Sequence, residues 1–196
     1  MSSDLVRVTQ ALDFACRKHM HQRRKGENQE PYVNHLAEVA FLVTEASEGK
    51  DPDLLIAALL HDCVEDQGVT RAEIAAAFGE EVAALVLEVT DDKTIPKAER
   101  KRLQIEHAAH LSRRARILKI ADKTSNLRAL QHSPPPWPEA RKRRYFAWAK
   151  AVVDNARGVN SMIEAAFDIE YELAIGAGLA QRDFVWHPEL ETEGDD

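Results

Sequence analysis

The sequence predicts an all-α protein in a single domain, and three observations lead to this prediction. Apolar residues recur at three- and four-residue spacing along most of the chain. No segment shows the alternation of apolar and polar residues that is typical of a half-buried strand. With 196 residues, 44% of them hydrophobic and 30% charged, the chain suits one globular domain with a buried core. This composition excludes a disordered or collagen-like chain.

Helical spacing extends over most of the chain, in segments separated by turns rich in glycine, proline or charge. The predicted helices cover residues 4–20, 36–47, 52–66, 70–78, 80–90, 96–111, 114–131 and 139–175. Asp51 and Pro52 begin the third helix, because an aspartate accepts from the first free amides and proline fits the first helical position. That helix is almost wholly apolar up to His61, so we expect it to be buried on nearly all sides. The prolines of residues 132–138 interrupt the helical pattern, since proline cannot continue a helix.

The composition also suggests where the domain ends and in which cellular compartment the protein lies. Residues 183–196 contain six acidic residues and no lysine or arginine, so we expect a domain over 1–182 and a mobile acidic tail over 183–196. The net charge of −7 argues against long nucleic acid as a partner. No apolar run approaches the roughly 20 residues of a membrane span, and two cysteines cannot form a disulfide framework. We therefore expect a cytoplasmic protein that contacts no membrane.

The most informative feature is the pair His61-Asp62 inside the apolar third helix. Burying these groups costs free energy unless something compensates them. A divalent metal can do so, because neutral imidazole and carboxylate are both ligands. His35 closes the PYVNH loop, and Asp122 lies in the apolar helix ILKIADKTSNL. A hydrogen bond within the core would explain any one of these residues, but the four together favour a metal site.

The ordered set formed by His35, His61-Asp62 and Asp122 resembles the signature of the HD metal-dependent phosphohydrolase superfamily. The surrounding sequence is more narrowly similar to the (p)ppGpp hydrolases of the RelA/SpoT type, above all the stand-alone small alarmone hydrolases. The matching strings are CRKHMHQRRK, PYVNH, AALLHDCVED, EVTDDKTIPKAERKRLQ, KIADKTSNLRAL and RYFAWA. The resemblance implies an HD-type helical bundle that binds one Mn²⁺ per chain through the four named residues. Mixed nitrogen and oxygen ligands suit this metal.

The resemblance also implies that Glu65 and Asp66 are the catalytic pair that orients and deprotonates the attacking water. They follow His61 and Asp62 by four residues, and so lie about one helical turn further along nearly the same face. Carboxylates in this position are suitable general bases. Without the neighbouring motif, the same residues would be interpreted as a solvated helix end.

Further residues correspond to the family's nucleotide-binding positions. Arg24 and Lys25 would contact the base and its 5′ phosphates, Tyr32 would close the same pocket, and Asn126 would contact the ribose or phosphate region. Guanidinium groups stack on purines and ammonium groups neutralise phosphates. The complete predicted set of substrate-binding residues is Arg24, Lys25, Tyr32, Asn126, Lys97 and Arg141. Arg100 and Arg144 also match the family, but surface charge explains them equally well.

The implied reaction removes the 3′-pyrophosphate from (p)ppGpp, and by extension (p)ppApp, giving GDP or GTP, or their adenine equivalents, and pyrophosphate. Thr124 and Ser125 replace bulkier residues that are common in the family, which leaves the choice between guanine and adenine open. One alternative is an HD phosphohydrolase that acts on NADPH or a nucleoside monophosphate. Others are a non-catalytic nucleotide sensor and a helical interaction protein, of which the latter leaves the buried histidine and aspartates unexplained. The sequence also leaves the oligomeric state open, a homodimer included.

Overall fold

A computed structural model describes residues 3–191, and its regular elements over this range are helical. The only strand-like pairing among these residues is an isolated antiparallel bridge between Arg23 and Pro31. The all-α prediction is confirmed. Within residues 3–191, no helix combines the length and the apolar character that crossing a membrane requires. The chain divides into two compact units, one of residues 3–24 and 29–91 and the other of residues 25–28 and 92–191.

The first unit is built around one short, very apolar helix. Its helices are α1 (Asp4–Lys18), α2 (Val33–Ala46), α3 (Pro52–Leu60), α4 (Cys63–Gln67), α5 (Arg71–Phe78) and α6 (Glu80–Val89). Helix α3 packs against α1, α2 and α6, and six of its nine residues are buried. The Asp51 side chain accepts from the backbone N of Leu54 at its start, as predicted. His61 follows directly after the last residue of this buried helix.

Two differences from the predicted helices affect the residues of interest. The helix predicted over 52–66 is interrupted at His61-Asp62, where α3 ends and α4 begins. Asp62 has φ −96° and ψ −2°, and the Asp66 amide donates to the Asp62 carbonyl at 2.9 Å, so hydrogen bonding resumes directly after the interruption. Helix α2 begins at Val33, before the predicted position. His35 therefore lies in the first turn of a helix and not at the end of a loop.

Within residues 3–191, the second unit contains four helices and a carboxyl-terminal segment. They are α7 (Lys97–Ala108), α8 (Arg113–His132), α9 (Glu139–Ala156) and α10 (Ser161–Gly176), followed by a 3-10 turn at Pro188–Leu190. Helix α8 packs against α9 and α10, and α7 packs against α9. The single helix predicted over 139–175 is wrong. Gly158, with φ +85°, ends it, and the Asn160 side chain accepts from the amides of Met162 and Ile163 to begin α10.

The segment after α10 makes specific contacts with α7. Trp186 is buried, and its Nε1 donates to the Glu191 carboxylate at 2.9 Å. The same carboxylate pairs with Lys101 Nζ at 2.6 Å. The predicted boundary at residue 182 stays a prediction, and residues 192–196 of the predicted tail lie outside the described part of the chain.

Candidate metal centre and nucleotide-binding residues

Three predicted ligands of the first unit converge on one buried point. His35, His61 and Asp62 each present a donor atom, and these atoms lie within 4.8 Å of one another. The Nε2 atoms of His35 and His61 lie 3.6 and 3.1 Å from Asp62 Oδ2. The histidines are only 2% and 6% exposed. Two imidazoles and a carboxylate at this spacing and depth are suited to a divalent metal.

The backbone fixes the tautomer of His61. Its Nδ1 lies 2.8 Å from the Ala58 carbonyl oxygen, one turn earlier in α3. A carbonyl can only accept, so Nδ1 carries the proton and donates it. Nε2, which lies 3.1 Å from Asp62 Oδ2, is then the ring nitrogen available to bind a metal. This is the second hydrogen bond that metal-binding histidines characteristically make, and it supports the fit of the site to a metal.

Tyr32, predicted to bind substrate, contacts a predicted metal ligand. Its hydroxyl donates to Asp62 Oδ2 at 2.6 Å. Its ring stacks on that of His19 with centroids 5.3 Å apart, and meets the His35 ring edge-on at 5.4 Å. His19 is 2% exposed and was missed by the sequence reasoning, although it lies inside the matching string CRKHMHQRRK. Tyr32 therefore orients Asp62, whatever else it contacts.

The predicted catalytic carboxylates lie on α4 and accept hydrogen bonds from the first unit. Glu65 Oε2 accepts from the backbone N of Asp91 at 3.3 Å. Asp66 Oδ2 accepts from Gln22 Nε2 at 2.8 Å, and the side-chain oxygen Oε1 of Gln22 accepts in turn from Gln67 Nε2 at 2.6 Å. Both carboxylates are half-buried. These bonds restrict their rotamers, as a positioned general base requires.

Cys63 follows the His-Asp pair but differs from it chemically. The thiol is fully buried, and its Sγ lies 3.5 Å from His19 Nε2. Burial, and next the Asp62 carboxylate, raise the pKa of the Cys63 thiol to about 12. The cluster formed by His35, His61 and Asp62 offers nitrogen and oxygen donors.

In the second unit, Asp122 lies within a ring of polar partners on α8. Lys123 Nζ donates to its Oδ2 at 2.9 Å, and Asn126 Nδ2 donates to its Oδ1 at 2.7 Å. The four-residue spacing of Asp122 and Asn126 therefore places them in contact, one helical turn apart. Thr124 and Ser125, the two departures from the family pattern, are fully buried.

A buried cluster of lysines and aromatic rings occupies α7, α8 and α9. Lys123 Nζ lies 4.4 Å and Lys101 Nζ 4.9 Å from the centre of the Trp148 ring. Trp148 Nε1 donates to the Lys101 carbonyl at 3.1 Å. Burial lowers the pKa of Lys101 from 10.5 to about 8, although the bond to Glu191 opposes the shift. We name Lys101, Lys123, Trp148 and Glu191 the lysine–tryptophan cluster. Sequence reasoning missed it because a charged helix such as α7 is usually solvated.

The remaining predicted substrate residues lie in different settings. Arg141 stacks on Trp137, with its guanidinium carbon 4.1 Å from the ring centre. Lys97 is the first residue of α7 and is half-buried. Lys25 is exposed in the short segment 25–28 of the second unit, whereas Arg24 is half-buried in the first unit. Their roles stay predictions.

Within the first unit, the structure brings together Tyr32, His35, His61 and Asp62. Asp122 and Asn126 contact each other in the second unit. The assignment of all these residues to one site stays a prediction.

Comparison with known proteins identifies the protein family. Residues 11–149 match the HD-domain family, and the chain belongs to that family. The match includes residues of both units, in agreement with the predicted single HD-type domain.

Within this family the chain is similar to a small set of enzymes. It is 48% identical to the Xenopus tropicalis guanosine-3′,5′-bis(diphosphate) 3′-pyrophosphohydrolase MESH1, over 86% of this chain and 94% of that protein. The human enzyme of the same name is also 48% identical, over 85% and 93% of the two chains. A solved metazoan orthologue of SpoT, described as hydrolysing ppGpp, superimposes with a TM-score of 0.83 at 44% identity, covering 91% of this chain and 98% of that one.

Proposed function

We propose that this protein is a Mn²⁺-dependent 3′-pyrophosphohydrolase of ppGpp, with pppGpp and the adenine analogues as further substrates. The observation that carries the proposal is the buried His35–His61–Asp62 cluster with a backbone-fixed His61 tautomer. The similarity to MESH1 enzymes over nearly their whole length supports the choice of substrate.

The metal would be held by His35, His61 and Asp62, with Asp122 as the fourth protein ligand. When bound, it lowers the pKa of a coordinated water and offsets negative charge on the reacting phosphate. The choice of Mn²⁺ rests on the mixed nitrogen and oxygen donors and on the family resemblance. Tyr32 holds Asp62 in place through its hydroxyl.

Glu65 and Asp66 would orient a water and take its proton. The water oxygen then forms a bond to the phosphorus attached to the ribose 3′ oxygen, and the bond between that phosphorus and the 3′ oxygen breaks. The 3′ oxygen receives a proton, so the products are GDP and pyrophosphate. The amide of Asp91 and the side chain of Gln22 hold the two carboxylates for this role.

Binding of the nucleotide would use the predicted cationic residues. Arg24 and Lys25 would contact the base and the 5′ phosphates, and Asn126 the ribose or phosphate region. Lys97 and Arg141 would offset the remaining phosphate charge. Within residues 3–191, the buried Nε atoms of Arg100 and Arg143 have no hydrogen-bond partner, so α7 and α9 retain donors for an anion.

The experiment that tests this function is an assay of the purified chain loaded with Mn²⁺. The substrates are ppGpp, pppGpp, ppApp, pppApp and NADPH, and the released pyrophosphate and phosphate are quantified. We expect pyrophosphate from the alarmones, and we expect Glu65→Gln to lower kcat by about 10²–10⁴-fold with Mn²⁺ still bound. Glu45→Gln, at an exposed glutamate of α2, is the matched control.

Two results would contradict the proposal. Release of phosphate from NADPH without pyrophosphate from any alarmone would favour the alternative phosphohydrolase. Full activity in Glu65→Gln would remove this residue from the catalytic role.

A further inference from the structure

The tip of the loop that carries Lys25 is held against the end of α8 in the second unit. The backbone N of Asn28 donates to Ser133 Oγ at 3.1 Å. The backbone N of Glu27 donates to the Pro134 carbonyl at 3.2 Å. Two successive amides of the loop are thus bound by two successive residues that follow α8.

Gly26 permits this contact because it has no side chain. A Cβ at this position would lie 2.6 Å from Ser133 Oγ and closer still to the Ser133 carbonyl oxygen. The φ angle of Gly26 is not in the left-handed region, so the requirement for glycine comes from space and not from backbone conformation. The obstructing carbonyl belongs to the backbone and cannot rotate away as a flexible side chain would.

Ser133 is itself firmly placed. It is the residue that ends α8, it is 7% exposed, and its amide donates to the Ala129 carbonyl at 2.9 Å. Helix α8 also carries Asp122 and Asn126, which contact each other. Ser133 therefore links the loop tip to the helix that carries Asp122 and Asn126.

We infer that Gly26 and Ser133 form a clasp that positions Lys25 for binding the substrate phosphates. Both are positioning residues, because neither needs to touch the substrate. Lys25 is bonded directly to Gly26, so a displaced tip moves its ammonium away from the phosphates. The inference rests on the proposed function, since it takes Lys25 to be a substrate-binding residue.

Two substitutions test the clasp by steady-state kinetics. Gly26→Ala forces the tip away from Ser133, and we expect KM for ppGpp to rise about tenfold with kcat within about twofold of wild type. Ser133→Ala removes only the acceptor for Asn28, so we expect a smaller rise in KM, about threefold. Mn²⁺ binding measured by calorimetry stays at the wild-type value in both.

Matched controls separate the clasp from general effects of substitution. Gly176→Ala adds the same methyl group where nothing lies within 4 Å. Ser47→Ala removes a hydroxyl from the residue that ends α2, where its Oγ donates to the Thr44 carbonyl. We expect the KM values of both controls to equal that of the wild type.

Limited trypsin digestion tests the clasp without reference to any substrate. Cleavage after Lys25 requires the tip to leave Ser133, so we expect it to be slow in the wild type and faster in Gly26→Ala. Faster cleavage with no ppGpp hydrolysis in any variant would support the clasp and reject the proposed function. An unchanged KM together with unchanged cleavage after Lys25 would overturn the clasp, as would a parallel loss of kcat and Mn²⁺ binding.

Discussion

The two units of this protein bury charge in opposite ways. In the first unit, His35, His61 and Asp62 concentrate lone pairs around one point, and Tyr32 and Ala58 fix their orientation. In the second unit, the lysine–tryptophan cluster concentrates ammonium groups against an aromatic ring. The first arrangement is suited to a cation, whereas the second is paired with the carboxylates of Asp122 and Glu191.

The difference lies also in how each unit compensates its buried charge. The second unit supplies its own anions, because Asp122 pairs with Lys123 and Glu191 pairs with Lys101. The first unit gathers two imidazoles around a carboxylate, a set of donors that suits a bound metal. We therefore expect substitutions in the first unit to act on metal binding and catalysis, and those in the cluster of the second unit to act on stability.

The largest effect is expected from His61→Ala in the first unit. The substitution removes a ligand and also leaves the Ala58 carbonyl without its donor, so we expect Mn²⁺ binding and hydrolysis to fall to background. Calorimetry with Mn²⁺ and the ppGpp assay measure the two losses. His110→Ala, at an exposed histidine after α7, is the control. A variant that binds one Mn²⁺ with unchanged affinity would show that His61 is not a ligand.

The fold was predictable where periodicity and helix ends agree. Asp51 and Pro52 begin α3 as predicted, because capping is a local property of the chain. The interruptions at His61-Asp62 and at residues 157–160 were not predicted, since apolar spacing continues across both of them. The signals were nevertheless present, as Gly158 and Asn160 are a typical helix end and helix start.

Some of the buried polar residues were recognisable from the sequence, and others were not. His61 and Asp62 were recognisable because polar residues in an apolar run need compensation. The pair formed by Lys101 and Glu191 was not, because its members are 90 residues apart and each lies in a segment rich in charge. Only the packing of the carboxyl-terminal segment on α7 shows that both are buried.

A smaller but measurable effect is expected from Glu191→Gln in the second unit. Lys101 and Glu191 side chains are 12% and 6% exposed, and removal of one partner from a buried pair costs about 3 kcal/mol of unfolding free energy. The double variant Lys101→Met/Glu191→Gln should regain most of this loss, since no unpaired charge remains. Urea denaturation near neutral pH measures both.

The control for this prediction is an exposed pair of the same unit. Arg182 and Glu172 are ion-paired with side chains 64% and 50% exposed, so Glu172→Gln should lower the free energy of unfolding far less than Glu191→Gln does. Equal losses in Glu191→Gln and Glu172→Gln would mean that the carboxyl-terminal segment is not anchored through Glu191.

The smallest effect is the pH dependence that Lys101 gives to stability. Its pKa is about 8 in the folded protein against an ordinary value of 10.5, so between these values the unfolded chain binds more protons than the folded one. The free energy of unfolding must then rise with pH through this window. Relative to Lys101→Met, the wild type should gain about 1 kcal/mol between pH 8 and 9, by urea denaturation at each pH. A difference between the two proteins that stays constant or shrinks over this range would mean that Lys101 is solvated, and the contrast between the two units would then reduce to the His–Asp cluster alone.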